Sequence, residues 1–144
     1  AAHLATHGDP ESTELAGMWE VFTEYPYLGP FMAYEIVTDL RHTYMGEKAT
    51  DIMTWCSPGP GCARGLGRVM HGDKDTYSYV SPRDRQVMLL LMNELLPWIN
   101  EHWDERWPRW EMRELEHTLC EFDKYERARL GEGRPKQKFK PVTA

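Results

Sequence analysis

Apolar residues along this chain recur at helical spacing, and no stretch of any length alternates as a strand would. Leu15, Met18, Trp19 and Phe22 fall three and four apart, on one helical face. Asp9-Pro10-Glu11-Ser12 offers a cap, an early proline and an acid, so the pattern predicts a helix starting there. Pro26 ends it, because proline disfavours helical geometry in the residue before it. In Tyr25-Pro26-Tyr27-Leu28-Gly29-Pro30, Gly29 is expected to supply positive φ and Pro30 to open the next helix, about Phe31 to Arg41. Ser57-Pro58-Gly59-Pro60-Gly61 excludes regular structure. A helix from about Cys62 to Met70 follows, weakened by Gly65 and Gly67. Ser81-Pro82 starts the most apolar segment, a helix from about Asp84 to Trp98. The path bends at Pro108, and a last helix runs from about Glu111 to Leu130, where Gly131 stops it.

These elements predict an all-α chain with a loose end at 1–10, a helical body at 11–131 and an extended basic tail at 132–144. Met88, Leu89, Leu91, Met92, Leu95 and Leu96 are the expected core, with Trp98, Trp103, Trp107 and Trp110 packing the helices together. The length of 144 residues and the 41% of hydrophobic residues suit one domain with a real core. No apolar run approaches the roughly 18 residues of a membrane span, so no membrane partner is expected. Cys56, Cys62 and Cys120 are an odd number without framework or zinc spacing, and read as reduced thiols. Neither a metal nor another cofactor is expected, and the chain reads as cytoplasmic, in the host cell if phage-encoded.

The net charge of −6 is unevenly spread. Between Lys124 and Lys140 seven basic residues meet two acidic ones, a balance of +5, and the remainder carries −11. Such a basic strip can meet phosphate, and it can equally be a solvated tail.

Helix, short Gly-containing turn, helix is how a helix-hairpin-helix unit is written, and the free amides at Gly29 would face a DNA phosphate. Asp51 follows Gly29 by 22 residues, past one helix and a loop. That arrangement resembles the helix-hairpin-helix DNA glycosylases, in which an aspartate stands at the mouth of the base pocket. The turn here reads Tyr-Pro-Tyr-Leu-Gly instead of Leu-Pro-Gly-hydrophobic-Gly, and the lyase-type lysine of the outgoing helix is absent.

Three further strings, FMAYEIVTDLRHT (31–43), DIMTWCSPGPGCARGLGR (51–68) and WEMRELEHTLCEFDKYERARLGEGRPK (110–136), resemble a phage thymine-hypermodification family. Its members are α-glutamyl/putrescinyl thymine pyrophosphorylases, or amino acid:DNA transferases. The resemblance implies a transferase that acts on DNA after a kinase has phosphorylated 5-hydroxymethyluracil. An amine or amino acid then displaces the (pyro)phosphate from the base's methylene.

The chemistry needs cations for the leaving group and a proton acceptor for the amine. Asp51 is the first candidate acceptor, with Asp39 second and Asp123 third. Arg41, Arg64, Arg68, Lys124 and Arg134 are the candidate phosphate or DNA contacts, with Gly29, Gly59 and Gly61 presenting backbone. Tyr34, Glu35, Trp55, Glu116 and His117 are the candidate base or amine contacts, Trp55 by stacking on an extruded base. Glu116, Cys120 and Lys124 fall four apart on one helical face. A glycosylase built on Asp51 and a non-catalytic module that binds DNA or a partner protein are the alternatives.

Overall fold

The computed structural model describes residues 13–132 and contains five helices. The Asp9–Ser12 helix start, Arg134 and most of the basic tail lie outside the described residues. Helix α1 spans Leu15–Thr23 and α2 spans Pro30–Leu40; they pack on each other as a hairpin. Helices α3 (Pro60–His71), α4 (Pro82–His102) and α5 (Met112–Leu130) form the larger body. Three of the five begin at a proline, whose missing N–H costs nothing in a first turn. No strand occurs among the described residues, and none of their helices is long and apolar enough to cross a membrane.

Two apolar clusters hold the fold. The larger joins Leu66, Met88, Met92, Leu96, Met112 and Leu115 across α3, α4 and α5. The smaller joins Leu15, Val37 and Ala49 under the α1–α2 hairpin. Trp19 and Trp55 pack against both clusters and so connect the two. Their rings lie 6.2 Å apart, and Trp55 meets Tyr34 edge-on at 5.8 Å.

The glycines that weaken α3 on propensity are what let it sit against α5. A Cβ on Gly65 would lie 2.1 Å from the Leu119 carbonyl oxygen, and one on Gly61 would lie 3.0 Å from Cys120 Sγ. Gly67 likewise faces the Asp73 carbonyl, at 2.4 Å. Here close backbone approach outweighs the roughly 1 kcal/mol that glycine costs inside a helix.

At the α1–α2 turn the residue in the left-handed region is Tyr27, at φ 72°, and not Gly29. Gly29 is extended, at φ −71° and ψ 168°, because it precedes Pro30. The tryptophans also divide otherwise than expected. Trp110 packs against the core, but Trp98, Trp103 and Trp107 are exposed, and Trp98 stacks on His102 at 4.4 Å. Met92 and Leu96 lie on the buried face of α4, and Trp98, two residues beyond Leu96, falls on the opposite face.

Candidate functional site

The chain around Trp55-Cys56-Ser57-Pro58-Gly59 carries a group of side chains with unspent chemistry. Glu116, on α5, is buried with its side chain only 4% exposed. Gly59, the residue that opens α3, points its N–H at Glu116 Oε1 over 3.4 Å, a long contact. Cys120 Sγ donates to the same oxygen at 3.3 Å, as its place one turn on allows. Burial raises the pKa of Glu116 above the usual carboxyl value, and the bonds from Cys120 and Gly59 only partly oppose this. Burial likewise pushes the Cys56, Cys62 and Cys120 thiols up, so all three stay protonated at neutral pH.

Next to Glu116 stands His117, with Nε2 3.8 Å from Glu116 Oε2 and 3.7 Å from Glu35 Oε1. These are ion-pair distances and not hydrogen bonds. His117 and Glu35 are partly exposed, so the imidazole connects solvent with the buried carboxyl. The Tyr34 ring lies 6.5 Å from that imidazole, and its hydroxyl is buried without a hydrogen-bond partner. Burial, then the neighbouring Cys56 and Glu116, raise the Tyr34 pKa, which keeps the hydroxyl a neutral donor. A carboxyl, an imidazole and an unpaired phenol can together take, pass and orient a proton.

On another side of the same stretch of chain lies an open groove of about 310 Å³. Trp19 and Trp55 form an aromatic wall, Pro58 and Leu89 add apolar surface, and Arg85 and Gln86 of α4 line it too. Sequence reasoning missed Trp19, Arg85 and Gln86. Nothing in their spacing marks them, since α1 and α4 meet at the groove only through the tertiary fold.

A family model described as "5-hmdU DNA kinase, helical domain" matches residues 5–134. The chain belongs to that family. No curated protein and no solved structure matches it. The family agrees with the thymine-hypermodification side of the sequence resemblance, and its description mentions neither a transferase nor a glycosylase.

The other candidate residues of this helical domain are separated. Asp51 turns both carboxylate oxygens to the first amides of α1, Leu15 at 2.7 Å and Ala16 at 2.9 Å. It caps a helix that has no side-chain cap of its own, and both of its oxygens are taken up by those backbone amides. Asp123 is fully buried on α5 and clasped from α3 by Arg64 Nε at 2.8 Å and Arg68 Nε at 3.3 Å. The two guanidinium groups therefore face this carboxylate and not Asp51. Arg68 also reaches Glu132.

Arg41 pairs with Glu111 through two bonds, of 3.1 and 2.6 Å, and so ties α2 to the start of α5. Lys124 is exposed and pairs with Glu121 one turn away. Asp39 is exposed on the outer side of α2. Gly61 is taken up by its approach to Cys120, whereas Gly59 does present its amide, to Glu116. Of the expected residues, the fold thus gathers Tyr34, Glu35, Gly59, Glu116 and His117 into one group, with Trp55 against Tyr34.

Proposed function

We propose that this chain takes part in the hypermodification of thymine in DNA, handling 5-hydroxymethyl-deoxyuridine or its phosphate ester. The reading rests on one observation, the buried Glu116 carboxyl with a raised pKa beside His117 and the unpartnered Tyr34 hydroxyl. A group that attacks at the base's 5-substituent must give up a proton, and a carboxylate made more basic by burial is better suited to take it than an exposed one.

In the finer reading the attacking group is an amine, as the three sequence strings imply. The amine nitrogen bonds to the base's methylene carbon, and the carbon–oxygen bond to phosphate breaks. The phosphate leaves with the electron pair, and the amine's surplus proton passes to Glu116 and out through His117. A kinase supplies the phosphate ester beforehand. The family description favours a second reading, in which the base's own hydroxyl attacks the γ-phosphorus of ATP, the bond to the β-phosphate oxygen breaks, ADP leaves with the electron pair, and Glu116 takes the hydroxyl proton. In both, Tyr34 orients the 5-substituent and Glu35 sets the charge around His117, while Asp51, Asp123, Arg64 and Arg68 hold the fold.

The test gives the protein two DNA duplexes. One carries 5-hydroxymethyl-deoxyuridine with magnesium ATP, and the other carries its phosphate ester with putrescine and amino acids. Digestion to nucleosides and mass spectrometry then read the products. An amine adduct on the second supports transfer, and a phosphate gained on the first supports the kinase reading. An abasic site on either would instead mark a glycosylase. Glu116→Gln should lose product while staying folded. Full turnover by that variant, or no product from the wild-type protein with a partner kinase present, refutes the reading.

A further inference from the structure

We infer that the Trp19–Trp55 groove receives one extruded pyrimidine nucleotide of DNA, stacked on the indoles and held by Gln86 and Arg85. The inference rests on the function proposed above and adds where the base sits.

The volume of about 310 Å³ lies at the lower end of the roughly 300–1,000 Å³ typical of small-molecule sites, the right scale for a single nucleotide. Its wall consists of two indoles tilted by 57°, so a flat ring can stack on one while its edge meets the other. The two polar side chains of α4 match what such a ring leaves open. The Gln86 amide offers one acceptor and one donor, the complement of the N3–H and O4 of a uracil. Arg85 offers a cation to phosphate.

The state of Arg85 points most directly to a missing anion. Arg41, Arg64, Arg68, Arg106, Arg113 and Arg129 each have a carboxylate partner; of Arg83, Arg85, Arg109 and Arg127, which have none among the described residues, Arg85 is the one that lines the groove. The Arg85 side chain has no ion pair or hydrogen bond among the described residues, and its Nε is buried without an acceptor. Leaving a buried guanidinium N–H unpaired costs stability that an incoming phosphate would restore. The groove also shares Trp55 and Cys56 with the surroundings of Tyr34 and Glu116, so those two residues connect a base bound there with the proposed proton acceptor on their other side.

The test measures binding to four short single-stranded oligonucleotides, which differ only at one central position. That position carries 5-hydroxymethyluracil, its phosphate ester, thymine or an abasic site. The wild-type protein should bind the base-bearing strands at least tenfold more tightly than the abasic strand, and its tryptophan fluorescence should fall on binding. Arg85→Gln and Gln86→Ala change side chains of the first turns of α4 that lie outside the core, and each should remove most of that difference. Trp55→Leu should abolish the fluorescence change, and a circular-dichroism melt shows whether that variant is folded.

A loss on Arg85→Gln confined to the phosphate-ester strand gives the guanidinium to the substituent's phosphate. An equal loss on all base-bearing strands gives it to the backbone phosphate beside the base. Either result supports the groove. Equal affinity for the abasic strand, or Arg85→Gln and Gln86→Ala that keep the base-dependent difference, overturns it. Wild-type protein that makes product while both α4 variants keep full turnover sinks the groove alone. Protein that binds the base but makes no product sinks the proposed function and leaves the groove standing.

Discussion

Gly65→Ala tests the packing on which the site depends. Gly65 lies mid-way along α3, and a Cβ there would stand 2.1 Å from the Leu119 carbonyl oxygen, 2.8 Å from its carbon and 3.2 Å from its Cα. All three are backbone atoms of α5, so no side chain can swing aside. Ordinary contact begins at 3.4 Å, so the two helices must part by about 1 Å. A gap of that size forfeits roughly a quarter to a half of the dispersion energy between the facing atoms. Overpacking of this kind costs about 1–3 kcal/mol and sometimes more, and alanine returns about 1 kcal/mol of helix propensity.

Because the clash is with main chain, we expect a net loss at the upper end, about 2 kcal/mol, read as a lower urea midpoint at unchanged slope. That corresponds to a fall in Tm of very roughly 7 °C for a chain of this size. Gly17→Ala is the control. Gly17 lies in α1, and a methyl group added there would meet nothing within 4 Å, so alanine should gain up to about 1 kcal/mol. A Gly65→Ala protein as stable as wild type would refute the close-approach argument. The same displacement draws Gly59 away from Glu116, so turnover should fall more steeply than stability accounts for.

Asp123→Ala leaves Arg68 with Glu132 alone and Arg64, a third exposed, without a carboxylate, so the loss should fall below the roughly 3–5 kcal/mol of a fully buried pair, at about 2 kcal/mol. A thermal melt lowered by less than about 1 kcal/mol would show that solvent satisfies both guanidinium groups. Glu116→Gln should change the pH dependence of stability. Burial holds the folded-state pKa above the ordinary 4.5, so between those values the folded chain keeps a proton that the unfolded chain has lost. The contribution of this group is therefore full below pH 4.5 and lost as pH rises through the folded pKa. The variant should gain on wild type as pH rises above 4.5 in urea titrations, and parallel curves would contradict the burial argument. Asp51→Ala should cost about 0.5–2 kcal/mol through loss of the α1 cap, with turnover per folded molecule unchanged. Abolished turnover at wild-type stability would return Asp51 to the role of proton acceptor.

The helices were readable because prolines mark their starts and glycines some of their ends. Pro30 and Pro82 each occupy a first turn as expected, and Gly131 closes α5 at φ 71°, whereas Pro60 and Gly61, read as irregular from their alternation with Pro58 and Gly59, in fact open α3. The pairing of Glu116 with Cys120 was readable too, since four residues is one helical turn. What spacing could not reveal were partners distant in sequence. Asp51 looked like a reactive acid because nothing nearby shows that the amides it serves lie 36 residues earlier. Arg64 and Arg68 looked like free cations because their carboxylate lies 59 and 55 residues later. Gly65 and Gly67 counted against α3 because propensity is local and the backbone they admit belongs to other segments. Trp98, Trp103 and Trp107 were placed inside by their hydrophobicity alone, and the structure leaves all three exposed.

The cap that Asp51 provides also bears on the order in which the molecule comes together. Nine residues are too few for α1 to persist alone in water, and the carboxylate that steadies its first turn is delivered by a distant loop. The first turn of α1 is thus secured only once that loop has docked. Trp19 rides on α1, so one wall of the nucleotide groove exists only in molecules where that docking has happened, and amide exchange in α1 will report how often it reopens.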